Sequence, residues 1–214
     1  MKATMVMSVT VAVYLACSCA ALGQEHNDRD TACEVFKNAS SPDLVQNLNG
    51  IVPDDKNAEC VTFAIRKLGK ERYEPAVTAL VKLLDFRRPP TREEKMGFYE
   101  RPPIVEETFP AAEALESIGK PALPEVLRAI EVASTSTIAL ENAIAVWMEA
   151  YKYERPKGVA FLKQEVTKAN NDAIKQRLRW AVQKALRYCG SPEEEEGAAC
   201  RQAALQYRAS GCCG

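Results

Sequence analysis

The chain has 214 residues, 47% of them apolar and 27% charged, which supplies enough apolar material for a packed core and argues against wholesale disorder. Its 28 basic and 29 acidic residues give a formal net charge of −1. That balance lacks the basic excess of a dedicated nucleic-acid binder, and no nucleic-acid partner is expected.

Residues 1–23 read as an export signal. Lys2 is a short positive n-region, Val6–Ala16 is an apolar run, and the small residues of CSCAALG follow. The run is shorter than the ~20 residues that a bilayer span requires. Cleavage after Gly23 leaves Ala21 and Gly23 at the small-residue positions. The alternative is a lipoprotein anchored through Cys17 or Cys19, although Tyr14 and Ala16 stand where a lipobox wants leucine. Charges interrupt every later apolar run, so the mature chain is expected to have no membrane span and to be periplasmic or extracellular.

Residues 24–54 form an N-terminal segment with short helices. Within it, Asn38-Ala39-Ser40 matches a glycosylation sequon, a pattern that is common by chance. The first strong helix is predicted over Asn57–Leu68, with Val61, Ala64, Ile65 and Leu68 on one face and Gly69 ending the run. Pro75 opens a second helix, whose apolar face is Val77, Leu80, Val81 and Leu84. The same grammar returns in Phe109–Ile118, followed by Gly119, Pro121 and Pro124 and then Val126, Leu127 and Ile130. A third pair reads Ala139–Tyr151, Pro156 and Val159–Val166. A fourth starts near Asp172 and reaches Tyr188, Gly190 and Pro192 break it, and Glu195–Tyr207 is the last helix. No run shows the alternation of a strand. Trp147, Tyr151, Phe161 and Trp180 fall among apolar positions and are expected to fill space between helices.

Six cysteines lie outside the signal, and an even count in an exported chain favours disulfides. Six cysteines permit 15 pairings. Nearness in sequence suggests Cys33–Cys60 and Cys189–Cys200, the latter flanking a Gly-Ser-Pro turn. Cys212 and Cys213, in the Cys/Gly-rich tail 208–214, are open between a vicinal bridge, reduced thiols and a bond to another chain. No metal site is expected, because paired C-x2-C spacing is absent and His26 is the sole histidine.

The segment AIRKLGKERYEPAVTALVKLL (Ala64–Leu84) resembles a HEAT repeat of the short bacterial, PBS-lyase-like kind: a small residue and leucine in the first helix, glycine at the turn, proline opening the second helix and a leucine pair at its end. ALESIGKPALPEVLRAI (Ala114–Ile130) is similar again, and the third and fourth pairs match weakly, with Glu149 and Ala150 where the turn glycine would stand. The resemblance implies an all-α fold, a short α-solenoid of helical hairpins over residues 55–207, interrupted by one long loop at 85–108. Stacked hairpins bury the apolar face that one pair alone cannot.

That loop, DFRRPPTREEKMGFYERPPIVEET, is the main departure from the pattern. Loops beyond about 12–15 residues are uncommon in compact domains unless functional. Arg87, Arg88, Tyr99 and Arg101 are candidate binding residues, since exposed arginine and tyrosine make interface anchors. The other reading is an Ω-like loop that only covers core edges. The basic cluster Lys175, Arg177, Arg179, Lys184 and Arg187 reads as a solvated face, with anion binding a minor option. Catalytic triads fail for want of a histidine in the helical body, phosphate-loop and dinucleotide fingerprints are absent, and no catalytic residue and no cofactor is expected. The expectation is an exported helical-repeat scaffold for a protein or peptide partner. The alternatives are an enzyme or lyase-like accessory using a groove beside the loop, and a purely structural envelope protein.

Overall fold

The structure, a computed structural model, describes residues 33–97, 105–132, 134–190 and 197–202. Among them the chain is all-helical and holds no strand. Helix α1 (33–38) and α2 (Ser41–Gly50) precede α3 (Ala58–Lys70). The entry to α3 is built locally: Asp54 Oδ1 accepts from the Lys56 and Asn57 amides at 2.9 Å, and Asn57 Oδ1 accepts from the Asp54 amide at 2.9 Å. Both side chains thus replace backbone partners that an extended loop would leave to water.

Val61, Ala64, Ile65 and Leu68 are fully buried on one face of α3, as their spacing predicts. Gly69 does not end the helix. Lys70 continues it, and the left-handed position falls on Arg72, at φ 50°. The Arg72 amide donates to Gly69 O and the Tyr73 amide to Leu68 O, both at 3.0 Å, which is the Schellman closure with arginine where glycine is usual. Gly69 is needed for another reason. A Cβ there would stand 2.6 Å from Ala114 Cα, so α3 and the helix holding Ala114 approach backbone to backbone.

Pro75 lies in a 3-10 turn, Glu74–Ala76, that leads into α4 (Val77–Val81). Two short helices follow in the insertion, α5 (Arg92–Lys95) and α6 (Val105–Thr108). Helix α7 (Pro110–Ile118) stops at Gly119, whose φ of 77° suits glycine, and a 3-10 turn opens α8 (Leu123–Glu131). Then come α9 (Thr137–Ala150), α10 (Arg155–Lys168) and α11 (Asp172–Ala185), a 3-10 turn at Leu186–Cys189, and α12 (197–202). The remainder of the helix expected over Glu195–Tyr207 lies outside the described residues, as do residues 1–32 with the signal and its Cys17 and Cys19, and Cys212 and Cys213.

Helix α3 packs on α7, α7 on α9, and α9 on α11. Along the other side α4 packs on α7 and α8, α8 on α9 and α11, and α10 chiefly on α11. One continuous apolar core runs through these contacts, from Phe36 to Cys200. Trp147 is its largest buried side chain, with its indole N–H donating to Gly158 O at 3.1 Å and its ring 5.3 Å from Phe161 and 5.5 Å from Tyr151. Phe161 differs from the expectation of core filling and remains 37% exposed, while Tyr151 and Trp180 pack, partly buried, against the core.

The two cysteine pairs suggested by nearness stand at disulfide distance. Cys33 and Cys60 have Cα atoms 4.9 Å apart and tie α1 to α3, and Cys189 and Cys200, 6.1 Å apart, tie the end of α11 to α12. No helix among the described residues is long and apolar enough to cross a membrane.

Candidate functional site: a cleft between two helices beside the insertion

The insertion is closed at its base by Arg88. Its guanidinium grips Glu94 with both arms, Nη1 at 2.8 Å and Nη2 at 2.6 Å, and Nη1 also donates to Pro89 O at 2.9 Å. Its Nε donates to Glu107 O in α6, and its backbone amide donates to Thr108 O at 3.0 Å. Glu94 in turn completes a capping box with Thr91 at the start of α5. The two side chains are only 11% and 15% exposed. Arg88, a candidate binding residue by its type and position, therefore spends its donors inside the protein. The hydrogen bond from Arg88, followed by that from the Thr91 amide, holds the Glu94 carboxyl at about 2, well below its ordinary 4.5. Arg87 points to solvent, while Phe86 packs against the core. Tyr99 and Arg101 lie outside the described residues.

Both roots of the insertion reach α9. Asp85 accepts a 2.8 Å hydrogen bond from Ser136, the residue whose hydroxyl caps α9 by accepting from the Ala139 amide. Phe109, at the other root, forms one wall of a cleft of about 370 Å³ between α9 and the end of α11. Ile144 and Ala145 make its apolar floor, and Ile138, 49% exposed, stands at its mouth. Asn142 is buried in the floor and donates to Leu84 O at 2.6 Å, satisfying a carbonyl of the turn that follows α4. Glu141, Lys184, Arg187 and Tyr188 form the rim.

The rim charges differ in what holds them. Lys184 crosses from α11 to bond Glu141 on α9, and its ammonium lies 4.7 Å from the centre of the Trp180 ring. Its charge is thus met twice. Arg187 is exposed and has no hydrogen-bond or ion-pair partner among the described residues. The basic cluster on this helix is accordingly more than a solvated face. Arg177 is turned inward, with Nε donating to Ile130 O at 3.0 Å, Lys175 stays on its own helix beside Asp172 at 3.8 Å, and Lys184 and Arg187 border the cleft.

Sequence reasoning missed most of this site. Ile138, Glu141 and Phe109 carry no motif, and they join Lys184 and Arg187 only because α9 packs on α11. The one available signal was the long apolar content of α9, whose residues from Ala139 to Met148 are nearly all buried except Glu141. Comparison of the chain with known protein families, with curated proteins and with solved structures finds no match.

Proposed function

We propose that this protein is an exported helical-repeat scaffold of the HEAT-like kind that holds a peptide segment of a partner in the cleft between α9 and α11. The observation that carries this reading is the cleft itself: an apolar floor, a charged rim, and Phe109, at one root of the insertion, in its wall. Its volume lies within the ~300–1,000 Å³ usual for ligand sites, and an apolar centre with a few polar groups at the margin is the usual make-up of such a site. The succession α3 on α7, α7 on α9 and α9 on α11 supports a stacked-hairpin architecture. The two cysteine pairs support passage through an oxidising compartment. Within this reading Arg88 shapes the insertion, while Arg87, Tyr99 and Arg101 are the members of the loop set proposed to add contacts at the rim.

The test is affinity selection from a mixed library of short peptides with free ends, identified by mass spectrometry, on three proteins: wild type, Ile138→Asp, and Arg87→Ala/Tyr99→Ala/Arg101→Ala. Enrichment on wild type that disappears with Ile138→Asp supports the cleft. Enrichment lost only in the loop variant moves the site to the insertion. A library that enriches nothing on wild type removes the peptide-binding reading.

A further inference from the structure

The composition of the rim narrows what the cleft accepts, on the premise that it binds peptide. Of the charges around it, Glu141 and Lys184 neutralise one another. Arg187 alone is left with a charge that no described group answers. A ligand lying on the apolar floor under that guanidinium is favoured when it brings one negative charge and one apolar group close together. The planar fork of arginine suits a carboxylate, which it can hold through two parallel hydrogen bonds.

A chain end meets that requirement within one residue, because its last residue carries an apolar side chain and a carboxylate on the same Cα. We infer that the cleft binds the free C-terminus of a peptide ending in an apolar residue, with the side chain on Ile144 and Ala145 and the terminal carboxylate on Arg187. Capture of a terminal carboxylate is an established mode of peptide recognition, here supplied by a side chain.

The probes are a fluorescein-labelled Gly-Ser-Gly-Ala-Leu with a free carboxyl end, the same peptide as its C-terminal amide, and octanoate as competitor. Fluorescence anisotropy is read on wild type, Arg187→Gln, Arg187→Lys and Ile138→Asp, each checked for unchanged helical content. Arg187 is exposed and Ile138 half-exposed, so these variants are expected to fold. The expected result is that wild type prefers the acid to the amide by about tenfold or more, the effect of one charge-assisted hydrogen bond. Arg187→Gln abolishes that preference while leaving the amide where it was, Arg187→Lys restores part of it, and Ile138→Asp weakens both peptides. Equal binding of acid and amide to wild type overturns the inference, as does a preference that survives Arg187→Gln. Octanoate displacing the peptide at equal or lower concentration also overturns it, in favour of a small carboxylic amphiphile. If the probes fail while library peptides still bind through Ile138, the terminal-carboxylate inference falls and the peptide-binding reading stands. If the library also yields nothing, both fall.

Discussion

A methyl group added at Gly69 would lie 2.6 Å from the Cα and 2.7 Å from the Cβ of Ala114. Alanine is the better helix former by about 1 kcal/mol, but overpacking against backbone costs about 1–3 kcal/mol, and here the neighbour cannot rotate away. Gly69→Ala is therefore expected to lower the urea midpoint, with an unchanged m-value. Three residues on, the sign reverses. Arg72 holds φ 50°, a region that costs a side-chain-bearing residue about 1–2 kcal/mol. Arg72→Gly is expected to raise stability by about 1 kcal/mol in the same titration. Glu94 sets a pH window. Its folded value of about 2 lies below its ordinary 4.5, so its contribution is complete above pH 4.5 and is lost as pH falls through about 2. The base of the insertion is expected to stay closed at pH 3.5, where ordinary glutamates are protonated, and limited proteolysis with an acid-active protease checks it. Arg88→Ala is expected to open the same segment to cleavage at pH 3.5 and at neutral pH, with the helical body still folded.

Elements depend on their ties unequally. The Cys33–Cys60 pair closes a separation of 27 residues and Cys189–Cys200 one of 11. Chain entropy assigns them about 3.5 and about 3 kcal/mol. Their structural roles differ more than these figures. Helix α1 contributes Phe36 to the core and α2 adds Leu44 and Leu48, so the first tie secures a peripheral cap over α3. The second anchors α12 to the 3-10 turn after α11, which carries Arg187 and Tyr188 on the cleft rim. Replacing Cys189 and Cys200 with alanine is expected to loosen the rim and weaken cleft ligands, whereas the Cys33/Cys60 double alanine variant lowers the melting temperature without moving their affinity. Calorimetry and the anisotropy assay distinguish the two. The turn between α9 and α10 is held by contact: a Cβ on Gly158 would come within 2.9 Å of Tyr151 Cβ, and Trp147 takes the Gly158 carbonyl as its acceptor.

At the scale of the whole molecule, α11 closes the C-terminal half of the core. It touches α8, α9 and α10 and buries Leu178, Ala181, Val182 and Ala185. A chain ending after Lys168 leaves apolar faces on three helices uncovered. Circular dichroism of that truncation is expected to show a lower melting temperature, with the α3–α7 end still folded, as a stack of neighbouring hairpins requires; loss of all cooperative unfolding would count against the stacked-hairpin reading. The cleft lies on this same junction, so a peptide held there as proposed is expected to raise the melting temperature, the more so the tighter it binds.

The helices were legible from local pattern because period and punctuation act over a few residues: the buried face of α3, Gly119 at the end of α7 and the start of α11 near Asp172 follow from neighbours along the chain, whereas the helix expected from Pro75 is a 3-10 turn followed by the short α4. The cysteine pairs were within reach of the same reasoning, since each closes a short loop. What tertiary structure alone decided are the contacts between residues far apart in sequence. Gly69 is a packing position because Ala114 presses on it, Arg88 is structural because Glu107 and Thr108 return to its side, and Lys184 meets Glu141 from 43 residues away. A single sequence carries no record of which helix faces which. The angle and register between α9 and α11 emerge from packing of the whole core, and the cleft exists only in that register.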